Sequence, residues 1–153
     1  MAGVRAIAAL VGVWLMAAPA LAADAPSPGV VTPAVVTPVP SALEGIWRWV
    51  SSDAPGGKTQ VDAPDRYLLS FPEAGRIALK ADCNRAAGGV TFGENGVLKI
   101  GVMAMTRAMC PSDSLSDRFA QDVSVATHWS IKGGALLLEL ADGKGTMRFL
   151  PQS

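Results

Sequence analysis

Short segments in which apolar and polar residues alternate recur through the second half of the chain. The alternation is clearest at residues 47–49, 77–79 and 129–131, where apolar residues are separated by a single polar or small residue. Since successive side chains of a strand point to opposite faces, this pattern predicts strands with one buried side. We predict strands at residues 45–51, 66–71, 75–80, 88–92, 97–105, 128–133, 135–141 and 145–150.

Turn residues separate these segments at the intervals typical of all-β domains. Residues 72–75, 93–96, 133–134 and 142–145 are rich in the glycine and Asx residues that tight turns require. The last three of these connections are predicted to close hairpins. The long segment 52–65 is predicted to be a loop.

One segment, between Pro111 and Thr127, departs from the strand pattern. Ser114 resembles a helix N-cap with a carboxylate, Asp117, at the third helical position. Leu115, Phe119 and Val123 follow at intervals of four, which gives the predicted helix an apolar stripe. We expect it to pack on the sheet or to plug one end of a barrel.

The N-terminus has the layout of a secretory signal peptide. Arg5 precedes an apolar run over residues 6–18, and a small-x-small sequence ends at Ala22. The run is shorter than the roughly 20 residues that span a bilayer. We therefore expect cleavage of residues 1–22, no membrane insertion afterwards and, since no cysteine lies at the cut, no lipid anchor. The expected location is the periplasm or the exterior.

Residues 23–41 are predicted to form a flexible linker. Residues 24–40 contain five prolines and a repeated Val-Val-Thr-Pro, at 30–33 and 35–38. Proline lacks an amide donor and fixes φ, so the segment is unsuited to a central strand and favours an extended tether. The folded domain is predicted to span residues 42–151.

Length and charge narrow the function classes. A chain of 153 residues fits one domain after export, and we expect a monomer. Loss of Arg5 from a chain with 13 basic and 13 acidic residues leaves a formal charge of −1. Nucleic acid and anionic lipid require a concentrated basic face, so neither is an expected partner.

The sequence offers little for catalysis or for metal binding. Its one histidine, His128, lies on the predicted polar face of a strand and accompanies no nucleophile motif. Zinc normally needs four protein ligands, or three at a catalytic site, and one histidine with two cysteines is a poor set. A glycosidase dyad could in principle form from two of the carboxylates Asp62, Asp65 and Glu73, but the sequence alone does not place two carboxyl groups at a working separation. We expect no enzyme activity, no cofactor and no metal.

Cys83 and Cys110 are the only cysteines, and export would place them in an oxidising compartment. A disulfide between them is the favoured interpretation. A free or redox-active thiol pair is the alternative, although such pairs usually have the C-x-x-C spacing that is absent here.

Three groups of residues resemble the META domain (HslJ-like) family: Leu43-Glu44-Gly45-Ile46-Trp47, Cys83-Asn84 and the segment from Thr106 to Cys110. Phe119 resembles the family's central helix position, and the segments 136–138 and 147–149 resemble its last two strands. Asp82 stands where the family has a glycine, and Val90 where an aromatic residue is common. The resemblance covers about residues 42–150.

The resemblance implies a mainly β fold: a small, partly open antiparallel β-barrel of about eight short strands with lipocalin-like topology and one α-helix packed on it. Trp47, Cys83, Asn84, Thr106 and Cys110 are its signature positions. The cysteines would tie two β segments together, and Asn84 would hydrogen-bond the turn after the first of them. The family carries no settled catalytic activity or ligand.

These observations predict a non-enzymatic binding or interaction module for envelope maintenance or a stress response such as heat shock or drug resistance, with an envelope protein as its partner. One alternative is a carrier that holds a small apolar molecule inside the barrel. Another is a hydrolase or hydrolase inhibitor that uses the 52–65 loop. The aromatic residues could line a cavity, but a small β domain needs them for its core; these residues are Trp47, Trp49, Phe71, Phe92, Trp129 and Phe149.

Overall fold

The computed structural model describes residues 37–153, so the predicted signal peptide and most of the predicted linker lie outside the described residues. The described part contains nine strands and one α-helix. The strands are β1 (Ile46–Ala54), β2 (Gly57–Gln60), β3 (Tyr67–Ser70), β4 (Arg76–Ala81), β5 (Asn84–Phe92), β6 (Leu98–Met105), β7 (Ala126–Lys132), β8 (Ala135–Leu140) and β9 (Thr146–Pro151), and the helix is α1 (Ser116–Ser124).

All nine strands belong to one antiparallel sheet. Its order is β6-β5-β4-β3-β1-β9-β8-β7, and β2 folds back on the end of β1 as a hairpin. The two ends of the sheet approach each other through a bridge between Val97, just before β6, and His128 of β7. The sheet therefore curls into a half-barrel, which confirms the predicted mainly β, partly open barrel with one helix.

The strand bounds follow the predicted ones closely, with two differences. β5 begins at Asn84, four residues before the predicted start, because small residues at 86–87 continue the ladder without an apolar signal. The predicted 52–65 loop is wrong: β1 runs on to Ala54, and β2 pairs with it. β2 has no buried side chain, so it has no hydrophobic alternation to read.

Helix α1 supplies the middle of the half-barrel's core. Phe119 and Val123 of its predicted stripe are fully buried, and Leu115 packs against the core just before the helix. The Phe119 ring is stacked on Trp49 with 5.3 Å between ring centroids, and Tyr67 and Phe149 lie at 5.6 and 6.2 Å. This aromatic cluster fills the space between the sheet and the helix.

The predicted core aromatics are buried in the structure, except for Trp129, which is half-buried on the edge strand β7. Trp49 also satisfies its polar atom, because Nε1 donates to Ser51 O and to Ser52 Oγ, each at 3.0 Å. Val39, within the predicted linker, packs against this core. The sequence pattern therefore predicts the inside of the sheet well and its edge less well.

Candidate functional site

The hairpin turn between β4 and β5 places Asp82 and Cys83 at its tip. Asp82 has a φ of 59°, the left-handed region that favours glycine and that aspartate also visits. The resemblance implies a glycine at this position, and the positive φ of Asp82 is a conformation that suits glycine.

The side chain of Arg66 binds the carboxylate of Asp82, a contact that glycine could not make at this turn. Its Nε and Nη2 donate to the two carboxylate oxygens of Asp82 at 2.8 and 2.5 Å, and its Nη1 donates to Asp113 at 3.0 Å. The guanidinium holds the pKa of Asp82 below its ordinary value, with a further contribution from the Ser114 hydroxyl, and it lowers the pKa of Asp113 as well. The ion pair holds the tip of the β4–β5 hairpin against Arg66, which directly precedes β3.

Cys83 and Cys110 form a disulfide across 27 residues of sequence. Cys110 lies in the segment 106–115 between β6 and α1, which we call the strap. Cys83 is exposed at the hairpin tip, whereas Cys110 is half-buried. The favoured pairing from the sequence is the one that the structure contains, and the disulfide joins the tip of one hairpin to the middle of the strap.

Asn84 is the organising residue of this corner and is only 4% exposed. Its Oδ1 accepts hydrogen bonds from Thr106 Oγ1 at 2.9 Å and from the Ala108 amide at 2.8 Å, while its Nδ2 donates to Ala108 O at 3.1 Å. The expectation that Asn84 binds the turn after Cys83 is wrong. Asn84 bonds across to the strap, because a buried amide needs partners for both its donor and its acceptor atoms.

The remaining signature residues have structural contacts of their own. Thr106 Oγ1 also accepts from the Arg85 amide at 3.0 Å, so Thr106 links β5 to the start of the strap. Trp47 belongs to β1, away from this set in the chain, and its Nε1 donates to Leu43 O at 3.1 Å. The structure therefore brings Cys83, Asn84, Thr106 and Cys110 together, and Trp47 fixes the start of the domain.

A bulge in the edge strand β6 produces an exposed side chain that the sequence does not indicate. Gly88 pairs with Met103 and Val90 pairs with Ile100, so Gly101 and Val102 together face a single residue of β5. The extra residue keeps Ile100 and Met103 on the inner side and turns Val102 outwards, where it is 98% exposed.

Met109, on the strap, is 99% exposed. A cleft of about 290 Å³ lies beside Met109 and Cys110, and a second cleft of about 450 Å³ lies between β6 and α1 beside Val102. Arg107 and Asp117 line both clefts and form an ion pair at 3.4 Å. We call this continuous surface, from Val102 past the ion pair to Met109, the strap face.

Other kinds of site find less support in the described chain. His128 is exposed, and its Nδ1 lies 3.3 Å from Thr127 Oγ1. Within residues 37–153, no three His, Cys, Asp or Glu residues are grouped so that they could hold a metal ion. The helix found in that range is too short and too polar to cross a membrane.

Comparisons with known proteins agree on the fold. The family model described as the META domain matches residues 42–153. A protein from Burkholderia xenovorans, solved by NMR, is 18% identical, covers 86% of this chain and 99% of its own, and gives a TM-score of 0.59. A DUF4847 family protein from Bacteroides vulgatus is 15% identical, with 74% of this chain and 97% of its own covered and a TM-score of 0.52. A search of curated proteins finds no match.

Proposed function

The chain belongs to the META domain family, and we propose that it is an exported, non-enzymatic binding module that recognises another protein of the cell envelope through the strap face. The strap face carries this proposal. Val102 and Met109 are 98% and 99% exposed, and they flank the Arg107–Asp117 ion pair. The two exposed apolar side chains give a partner apolar surface to bury, and the ion pair between them offers polar contacts.

The shape of the strap face favours a protein over a small molecule. Both clefts are open to solvent, and the larger one is bordered by Met103 and Met105, whose flexible thioethers adapt to varied partner surfaces. A buried small-molecule site would instead enclose most of its ligand. We therefore assign the clefts to side chains that project from a partner.

The barrel interior gives the carrier hypothesis less support. The aromatic side chains that would line a ligand cavity pack on one another, with Phe119 stacked on Trp49 in the middle. The hydrolase or inhibitor hypothesis relied on a long loop at 52–65, and this segment contains the β1–β2 hairpin. We retain neither as the leading function.

Export is part of the proposal and has two supports. The N-terminal sequence has the layout of a signal peptide. The Cys83–Cys110 disulfide is compatible with a compartment outside the cytoplasm, since disulfides persist in oxidising surroundings. A role in envelope maintenance or stress response remains a proposal of the same kind.

Site-specific photo-crosslinking in intact cells tests the proposal. A photoreactive phenylalanine analogue is placed at Val102, at Met109 and, as a control, at Lys144, which is exposed in the turn between β8 and β9. We expect one protein adduct of the same size from positions 102 and 109 and none from position 144. Val102→Asp should remove the adduct formed at 109. Absence of adducts from both positions of the strap face, 102 and 109, or an identical adduct at 144, would contradict the proposal.

A further inference from the structure

We propose that the Cys83–Cys110 disulfide is a site of thiol–disulfide exchange, at which a small thiol or a dithiol oxidoreductase attacks Cys83 and Cys110 is the leaving group. This reactivity does not require a partner at the strap face, although Cys110 lines the cleft beside Met109. It follows from the unequal surroundings of the two sulfur atoms.

Access favours attack on Cys83. Cys83 is an exposed residue at the tip of the β4–β5 turn, whereas Cys110 is half-buried in the strap. A thiolate must approach a sulfur from the side opposite its partner, so the exposed end of the disulfide is the easier target.

The hydrogen-bonding groups near the two sulfurs favour Cys110 as the leaving group. The Asn84 Nδ2 amide lies 3.3 Å from Cys110 Sγ and 3.6 Å from Cys83 Sγ, so the N–H donor is nearer to a thiolate on Cys110. Cys83 Sγ lies 3.6 Å from the carbonyl oxygen of Ala108. A thiolate on Cys83 would face that negative oxygen, while a neutral thiol could donate to it. The negative charge is therefore better placed on Cys110.

The exchange has two steps. The attacking thiolate forms a bond to Cys83 Sγ, the Cys83–Cys110 bond breaks, and its electron pair leaves on Cys110 as a thiolate. A second thiol then attacks the mixed disulfide and releases Cys83. Overall, the protein disulfide gains two electrons and two protons, and two thiols are oxidised to one disulfide.

The strap would keep the separated sulfurs near each other. Asn84 Oδ1 holds Thr106 and Ala108, and Arg66 holds Asp113, and these contacts do not involve sulfur. Cys110 is thus retained close to the mixed disulfide, and re-oxidation can restore the original bond.

The test uses the unmodified protein. The folded protein is mixed with reduced glutathione, quenched with acid at short times, treated with an alkylating reagent and analysed by peptide mass spectrometry. We expect glutathione on Cys83 and the alkyl group on Cys110, with an excess of about tenfold over the reverse arrangement. Glutathione mainly on Cys110, an equal distribution, or reaction only in denaturant would overturn the proposal.

Two variants examine the role of Asn84. Asn84→Leu removes the N–H donor, so the preference for glutathione on Cys83 should weaken. Thr106→Val is the matched control, because it removes a hydrogen bond to Asn84 Oδ1 and leaves Nδ2 in place. This control should keep the preference. The measured quantity is the ratio of glutathione on Cys83 to glutathione on Cys110, so it does not depend on the overall rate of reaction. An unchanged ratio in folded Asn84→Leu would contradict the role of Asn84.

Discussion

Arg66 and Asp82 form a two-pronged ion pair in which two guanidinium nitrogens contact two carboxylate oxygens at 2.8 and 2.5 Å. The Asp82 side chain is only 12% exposed, and the Asp82 amide also donates to Arg66 O at 2.7 Å. The same residue has the positive φ that the hairpin turn requires. Asp82 therefore combines a backbone role that glycine can fill with a side-chain role that glycine cannot.

The first prediction concerns pH. Arg66 lowers the pKa of Asp82 in the folded protein below the ordinary value of 3.8. The ion pair's contribution to stability is therefore complete above that pH and is lost as the pH falls through the folded-state pKa. Denaturant unfolding of wild type and Asp82→Asn should show a less stable variant at pH 6 and a shrinking difference below pH 3.8.

Asp142→Asn is the control for this pH experiment. Asp142 also has a positive φ, of 56°, and it joins none of the ion pairs found in residues 37–153. Its substitution should leave the pH profile of the unfolding free energy close to that of wild type. A constant gap between wild type and Asp82→Asn from pH 6 to pH 2 would contradict the linkage.

The second prediction separates the two roles of Asp82. Asp82→Gly and Asp82→Ala both lose the ion pair, but only alanine also has to adopt the left-handed conformation at φ 59°. Alanine should therefore be less stable than glycine at this position by about 1 kcal/mol. Urea unfolding at neutral pH measures the difference, and equal stabilities would mean that the turn relaxes to another conformation.

The buried faces of the strands could be predicted from the sequence, because a strand with one buried face has an apolar residue at every second position. Residues 77–79 alternate as a strand must, and Ile77 and Leu79 are 0% and 3% exposed. Ile131 shows the limit: it points to the inner side but is 37% exposed, because β7 is an edge strand. Alternation records which side a residue faces and carries no information about whether a neighbouring strand covers it.

The candidate site was only partly readable for a related reason. Asn84 and the cysteines could be chosen from their residue types, but the partners of Asn84 in the strap and in α1 lie 22 to 32 residues further along the chain. The sequence does not indicate that Val102 is exposed, because the bulge that exposes it comes from the pairing of β6 with β5. Long-range pairing therefore determines both the hydrogen bonds of the site and its exposed face.

The third prediction compares two glycines in hairpin turns. Each has a positive φ and directly follows a residue that also has a positive φ. Gly96 has a φ of 78°, and a Cβ added there would lie 2.4 Å from Trp129 O. Gly143 has a φ of 65°, and a Cβ there would meet nothing within 4 Å. Gly96→Ala should cost about 3 kcal/mol through strain and the backbone clash, and Gly143→Ala about 1 kcal/mol through strain alone.

Thermal and urea unfolding of the two glycine variants measure these costs. The Gly96 substitution should also disturb the bridge between Val97 and His128, so the His128 ring signals in NMR spectra should shift in that variant and not in Gly143→Ala. Equal costs for the two substitutions would show that β7 can move away from the turn without loss.

The fourth prediction is that the disulfide stabilises the domain mainly through the unfolded chain. The bond closes a loop with a sequence separation of 27, so replacing both cysteines by alanine should cost about 3 to 4 kcal/mol on the chain-entropy model. In the folded state, Ala108 N–H would still donate to Asn84 Oδ1, since that 2.8 Å bond does not involve sulfur. Hydrogen exchange at the Ala108 amide should therefore become faster by no more than the factor by which the unfolding equilibrium constant increases. Complete loss of protection at Ala108 in a variant whose core amides stay protected would instead show that the disulfide, and not Asn84, holds the strap in place.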